Sequence, residues 1–451
     1  MKVNALTIGL AAIASLLGAG EVRGAGPPRP VTEADVGPGK QVYLRECSAC
    51  HGERGGGDGV AAAHLEVRPR NFLRASFKFK TSPDGVRTDD LLAVLERGIP
   101  GSAMPSFKFL SPKERQQVAA YVLYLGDLLE EEEPAPAPTS TPPPTTPETI
   151  ARGKVVYEEQ LCGSCHGPGG KGDGKSAKGM KDSDGFPIKV RDLTLGGFRG
   201  GSRPVDLYLR FTLGLDGTPM PAYGDNVSEP DRWALVDFIR SLEVPQKPVV
   251  YPKDPIKAGR QVAAVYGCRG CHVLDDGKGG DVGPDLRLSA QKLQPEWIRG
   301  FLAAPRAAGK IYPWRPHRMP ELGLHAPEVE VLTAYLGKMG KRKAAQPTPA
   351  LAQLVTDDVN AGKVLYMVRC TECHNLGKVV ETPPIKQQGP DLIRVAERID
   401  YTWAQRWITD PKKIDPNTKM TVPGLSPKEV DQVRAFVWWS SLTELGKTAA
   451  R

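Results

Sequence analysis

Apolar positions recur at intervals of three and four in four widely spaced segments: Val118…Tyr121-Val122, Leu235…Phe238-Ile239, Leu332…Tyr335-Leu336 and Val433…Phe436-Val437. That spacing gathers them on one face of a helix. Two of these segments carry their own start signal. Ser111-Pro-Lys-Glu114 and Ser426-Pro-Lys-Glu429 put Ser at the N-cap, Pro at the first helical position and Glu where a capping box needs it. A second set of helical segments carries Gly and Tyr four residues apart: Gly39…Tyr43, Gly153…Tyr157 and Gly362…Tyr366. A related segment has Gly259 and Ala263 instead. The pattern predicts an all-α chain.

Proline-rich stretches separate these segments. After Glu130 to Glu133 the chain runs through alternating Pro, Ala and Thr to Pro147, an extended spacer of roughly 40 Å at about 3 Å per residue. Such a spacer would let the part before it swing. Shorter breaks run from Pro245 to Pro255 and from Lys338 to Pro349. The latter contains Lys341, Arg342 and Lys343, which read as a solvated linker more readily than as a docking patch for an acidic partner. At the N-terminus, Lys2 precedes an uncharged, mostly apolar run from Ala5 to Gly20, with small residues around Gly20 to Gly26. This reads as a secretory signal over 1–25, shorter than the roughly 20 apolar residues of a membrane span. Uncleaved, it would anchor the chain. The expected location is periplasmic or otherwise extracytoplasmic.

The chain has 451 residues, enough for three or four small domains. Lys plus Arg number 60 against 52 Asp plus Glu, a formal charge of +8. No basic block is interleaved with aromatics, so nucleic acid is not an expected partner.

An exported chain with eight cysteines would ordinarily be read as disulfide-bonded. The spacing overrules that reading, because every cysteine belongs to a C-x-x-C-H pentapeptide. These are Cys47-Ser-Ala-Cys50-His51, Cys162-Gly-Ser-Cys165-His166, Cys268-Arg-Gly-Cys271-His272 and Cys370-Thr-Glu-Cys373-His374. Two thiols two residues apart can each form a thioether to a vinyl group on one porphyrin edge, and the next imidazole can then bind the iron. A redox dithiol has no use for His in the following position four times over. A zinc site needs paired C-x-x-C units or a downstream His pair. The motifs therefore predict four covalently bound haem c groups.

Around the motifs the sequence repeats, and the repeat resembles class I c-type cytochromes in four tandem copies joined by Pro-rich linkers. Each copy has a helix before the motif, a loop after it, a methionine further on and a closing helix. The expected domains are 30–128, 148–244, 253–340 and 356–446, with linkers at 129–147 and 341–355. The first two copies share the loop His51-Gly52-Glu-Arg-Gly55-Gly-Gly57-Asp58-Gly59 and His166-Gly167-Pro-Gly-Gly170-Lys-Gly172-Asp173-Gly174. The last two share Gly283-Pro284-Asp285-Leu286 and Gly389-Pro390-Asp391-Leu392, and also Trp297-x-x-x-Phe301 and Trp403-x-x-x-Trp407. So the copies form two pairs.

The resemblance implies several roles. Met104, Met220, Met319 and Met420 would be the distal iron ligands opposite His51, His166, His272 and His374. Met420 departs from the pattern, because Thr421 follows it where Pro follows the others. The carbonyls of Pro284 and Pro390 would accept from the proximal imidazoles, with Pro69 and Val190 in the comparable places. The glycines of the opening helices would allow the first and last helix of each copy to cross closely. Met339 and Met367 read as core filling, and Met180 as loop surface. His317 is the alternative ligand to Met319, His64 reads as surface, and His325 as a helix cap. Haem must supply much of each small core, so each copy should fold poorly without it.

The leading expectation is electron relay between redox proteins, because six-coordinate His/Met iron leaves no vacant position. The alternatives are a peroxidase- or reductase-like haem enzyme with one open iron, the fourth being the candidate, and a cytochrome subunit of a larger membrane-bound respiratory complex.

Overall fold

The structure, a computed structural model, describes residues 31–129, 133–244, 251–307, 319–340, 348–380 and 389–449. The signal segment, residues 245–250 of the break from Pro245 to Pro255, His317 and Lys341-Arg342-Lys343 lie outside them. Among the described residues the regular structure is helical, with isolated bridges only.

Four units follow one another. The first holds α1 (Glu33–Glu46), α2 (Ser48–His51), α3 (Thr88–Arg97) and α4 (Pro112–Leu125). The second holds α5 (Pro147–Glu159), α6 (Gly163–His166), α7 (Pro204–Leu213) and α8 (Glu229–Ser241). The third holds α9 (Pro255–Val265), α10 (Leu286–Lys292), α11 (Pro295–Ala303) and α12 (Ala326–Met339). The fourth holds α13 (Thr356–Arg369), α14 (Val395–Arg398), α15 (Tyr401–Thr409), α16 (Pro411–Ile414) and α17 (Pro427–Ala449).

In each unit the first helix crosses the last at the expected glycine. A Cβ on Gly39, Gly153 or Gly362 would lie 1.9 Å from the carbonyl oxygen of Gln117, Ala234 or Gln432, and one on Gly259 would lie 2.1 Å from Tyr335 Cβ. Only a missing side chain lets the backbones meet so closely. The tyrosine four residues on packs edge-to-face against the aromatic of the closing helix: Tyr43 on Tyr121, Tyr157 on Phe238 and Tyr366 on Phe436. The periodic apolar residues of the closing helices are buried here, as their spacing predicts. Both start signals form. Ser111 N–H donates to Glu114 at 3.0 Å and Ser426 N–H to Glu429 at 2.8 Å.

The spacer after the first unit has no regular secondary structure from 133 to 146, but it is strapped down. Ala137 N–H donates to Thr81 O at 2.7 Å, and its side chain is buried with Leu209 and Leu213. Trp233 Nε1 donates to Ser140 at 2.9 Å, and Thr145 to Asp237 at 2.7 Å. The first two units also touch directly, through Arg210 donating to Lys78 O at 3.0 Å and a Lys80–Asp216 ion pair at 2.8 Å. The expected swinging of the first unit is therefore corrected, because the spacer's few apolar and hydroxyl side chains found partners. Units three and four join through Gln294 N–H to Arg398 O at 2.9 Å and Asp400 N–H to Lys292 O at 2.7 Å.

Met339 packs against the core of the third unit, but Met367 is 49 % exposed and fills no core. It falls on the outer face of α13, opposite buried Gly362 and Tyr366. Met180 sits half-buried on a loop.

Candidate functional site

Each C-x-x-C-H pentapeptide forms a tight turn directly after the opening helix. His51 N–H donates to Cys47 O at 3.0 Å, His166 to Cys162 at 2.9 Å, His272 to Cys268 at 3.0 Å and His374 to Cys370 at 2.9 Å. One such turn holds the two thiols and the imidazole of each motif together. In three units the buried tyrosine pins the following loop, with Tyr43 donating to Gly52 O at 2.7 Å, Tyr157 to Gly167 O at 2.6 Å and Tyr366 to His374 O at 3.2 Å.

The four imidazoles share one brace. Nδ1 meets the carbonyl of Arg70 at 3.0 Å for His51, of Arg191 at 3.2 Å for His166, of Pro284 at 2.8 Å for His272 and of Pro390 at 2.8 Å for His374. A carbonyl only accepts, so Nδ1 carries the proton and Nε2 keeps its lone pair for a metal. Such a bond fixes ring orientation as well as tautomer. Pro284 and Pro390 are where the resemblance put them. Pro69 and Val190 are not, because the accepting carbonyl belongs to the next residue in both units. The register follows the residue after it. Asn71, Asp192, Asp285 and Asp391 each accept through the side chain from the backbone N–H two residues on, at 3.0, 2.9, 2.9 and 2.9 Å. This Asx turn recurs as Asn/Asp before Phe or Leu, a signal legible in the sequence.

Burial favours the neutral form of three of the imidazoles. It pulls His51 down to about 4 and lowers His166 and His374 as well. Burial raises the thiols, Cys50 and Cys268 to about 12 and Cys162 and Cys370 to about 11. A reactive dithiol has the opposite shift, towards thiolate. Among the described residues no group of three or more His, Cys, Asp or Glu converges as a metal cluster would require.

Three of the four methionines, Met104, Met220 and Met420, share one loop device. Met104 N–H donates to Ser102 Oγ at 3.2 Å, Met220 N–H to Thr218 Oγ1 at 3.3 Å and Met420 N–H to Thr418 Oγ1 at 3.2 Å. A hydroxyl residue two positions before the methionine is a second signal the motif comparison passed over. Met104 and His51 line one cavity together with Cys47 and Cys50, and that cavity also takes in Met319, Cys268, Cys271 and His272. Tyr223, three residues after Met220, has its hydroxyl raised by burial first and then by nearby Cys162 and Cys165. The loop of Met220 thus faces its own motif. Met420 Sδ accepts from Trp407 Nε1 at 3.0 Å, a contact no other methionine shows among the described residues. His64 is exposed, and His325 caps α12 with its N–H on Glu328 at 2.8 Å.

The cavity walls fit a haem. Arg68, Arg70, Lys78 and Arg199 line one side of it. Burial lowers Arg70, and burial with Arg70 beside it brings Lys78 to about 8. Among these lining cations, Nε of Arg199 is buried without a partner. Buried cations want anions, and haem carries two propionates. No helix among the described residues is long and apolar enough to cross a membrane.

The family model described as cytochrome c oxidase, cbb3-type, subunit III matches residues 34–122, and the cytochrome c model matches 150–243 and 359–441. The chain is 27% identical over 208 residues to the cbb3-type cytochrome c oxidase subunit CcoP of Azospirillum sp. (strain B510), covering 45% of this chain and 61% of that relative. It is 32% identical over 147 residues to cytochrome c oxidase subunit 2 of Alkalihalophilus pseudofirmus, covering 32% of this chain and 36% of that one. A chain of the Kuenenia stuttgartiensis reducing HAO-like protein complex is 40% identical at a TM-score of 0.45, covering 48% of this chain and 99% of its own. The chain thus spans only 61% and 36% of the length of these curated relatives. With its C-x-x-C-H turns, carbonyl-braced histidines and matched cytochrome segments, the chain belongs to the c-type cytochrome family.

Proposed function

We propose that this chain is an extracytoplasmic tetrahaem cytochrome that relays electrons between redox proteins. The observation that carries the reading is the fourfold recurrence of one brace, an imidazole whose Nδ1–H meets a carbonyl fixed by an Asx turn. The third motif has that brace as fully as the fourth, and on this ground it counts as a haem site. Cys47, Cys50, Cys162, Cys165, Cys268, Cys271, Cys370 and Cys373 would hold four haem c groups by thioether bonds. His51, His166, His272 and His374 would be the proximal ligands, with Met104, Met220, Met319 and Met420 opposite them.

Bound haem supplies one-electron chemistry between ferrous and ferric iron. The residues of the chain set the conditions for it. Carbonyl-held imidazoles would give each haem a fixed donor, the thioethers would favour the ferrous state, and the cavity's Arg70, Lys78 and Arg199 would offset propionates. With Met104, Met220, Met319 and Met420 as ligands, no iron position would be left for substrate, which favours relay over peroxidase- or reductase-like catalysis. The redox partners are proteins, and relatives named as oxidase subunits support attachment to a membrane-bound respiratory complex.

Denaturing mass spectrometry of the exported protein tests the count. Four haem additions on one chain are expected, and three or fewer would overturn the tetrahaem reading. Copurification of an oxidoreductase at native expression is the expected sign of the complex.

A further inference from the structure

The first and third motifs are separated by the whole of the second unit, yet they open on one cavity of about 310 Å³. Cys50, His51 and Met104 line it from one side, and Cys271, His272 and Met319 from the other.

The sequence of the third motif makes this approach possible. A Cβ on Gly267 would lie 2.6 Å from Ala103 Cβ, and one on Gly270 would lie 2.7 Å from Leu65 Cδ2. These two residues immediately precede the two cysteines of the third motif. The corresponding positions hold Glu46 and Ala49, Leu161 and Ser164, and Arg369 and Glu372 in the other units. Only the third motif is stripped of side chains at both, and it is the one pressed against a neighbour. A clamp beside the cavity holds the two units together. Arg306 of the third unit pairs with Glu46, the residue directly before Cys47, and its guanidinium lies 3.7 Å from the centre of the Phe109 ring. Glu46 is 3 % exposed, so this pair is shielded from the solvent that makes surface pairs weak. The other two motifs face outward, with Leu161 beside Cys162 72 % exposed and Cys373 exposed as well.

We propose that the haems of the first and third units form a direct electron-exchange pair, so that the relay crosses the fold between units that are not neighbours in the chain. One electron leaves a ferrous haem on one side of the shared cavity and reduces the ferric haem on the other; no bond is made or broken. The outward motifs of the second and fourth units are then the ends at which outside partners exchange electrons. The inference rests on the tetrahaem reading above.

The test uses the full-length holoprotein and circular dichroism in the Soret region, where two haems held close give a paired positive and negative band. Arg306→Glu puts like charges at the clamp, and Leu65→Arg breaks the contact with the third motif at a residue that neither attaches haem nor ligates iron. Lys80→Glu, which breaks the interface of units one and two, is the comparison. Loss of the paired band in Arg306→Glu or Leu65→Arg, with four haems retained by mass and all low-spin by electron paramagnetic resonance, is the expected result. Four haems with no paired band in the parent protein would overturn the pairing while leaving the tetrahaem reading intact. So would a band that survives both variants and disappears in Lys80→Glu. Fewer than four haems in the parent protein would instead overturn the reading on which the pairing rests.

Discussion

The first two units and the last two reach the same imidazole brace by different backbones. In units one and two a glycine-rich loop curls under the motif, with Gly57 N–H on His51 O at 2.9 Å and Gly172 N–H on His166 O at 2.8 Å. In units three and four a Gly-Pro pair approaches the ring itself, with Gly283 N–H on Cys271 O at 2.7 Å and Gly389 N–H on Cys373 O at 2.9 Å. A Cβ on either of those glycines would lie 2.3 Å from Cε1 of its histidine. The common factor is neither the loop nor the proline. It is a backbone carbonyl, which any residue type can supply, followed by an Asx turn on Asn or Asp. Units one and two use arginine there. Its side chain is then available elsewhere: Arg191 donates to Gly196 O at 2.6 Å, and Arg70 lines the first haem cavity.

Where the pairs agree, the effect of substitution should be largest. Gly362→Ala and Gly39→Ala each drive a Cβ onto a carbonyl and should lower the stability of their unit by about 3 kcal/mol, the upper end for overpacking; thermal denaturation followed in the Soret band reads it. Where the pairs differ, the contrast should be sharp. Gly283→Ala and Gly389→Ala crowd the imidazole and should cost about 1–3 kcal/mol, with loss of low-spin signal at that haem. Val190→Ala, at the matching position of unit two, should change stability by about 0.5 kcal/mol at most, with its haem unaltered. An equal effect in both pairs would dissolve the distinction.

Smaller effects belong to the methionine loops. Ser102→Ala and Thr418→Ala each remove the acceptor of a ligand-loop N–H and should cost about 1 kcal/mol, read as weakening of the sulfur-to-iron charge-transfer band. The smallest effect separates units three and four. Trp407 donates to Met420 Sδ, whereas the matching residue of unit three, Phe301, has no N–H to give. A donor on the thioether draws electron density from it and favours ferrous iron, so Trp407→Phe should lower the potential of the fourth haem alone in a spectroscopic titration.

Much of this was written in local sequence. C-x-x-C-H, the Gly–Tyr pair of the opening helices and the Ser-Pro-x-Glu starts each depend on residues within a few positions of one another, and each formed. The brace in the first two units was expected one residue early, at Pro69 and Val190, whereas the carbonyls of Arg70 and Arg191 accept. Asn71 and Asp192, whose side chains make the turn, carried the true register. Met367 looked like core by chemistry, but its place on α13 turns it to solvent. The seating of Leu65 and Ala103 on Gly267 and Gly270 joins residues from distant units, and no periodicity or spacing encodes such a contact.

The central claim is that every iron is held between an imidazole and a thioether. Electron paramagnetic resonance of the oxidised protein, with carbon monoxide added to the reduced form, tests it most directly. The account predicts low-spin signals only and no response to carbon monoxide. A high-spin signal, or one haem that takes up the gas, would contradict it and restore the case for catalysis at an open iron.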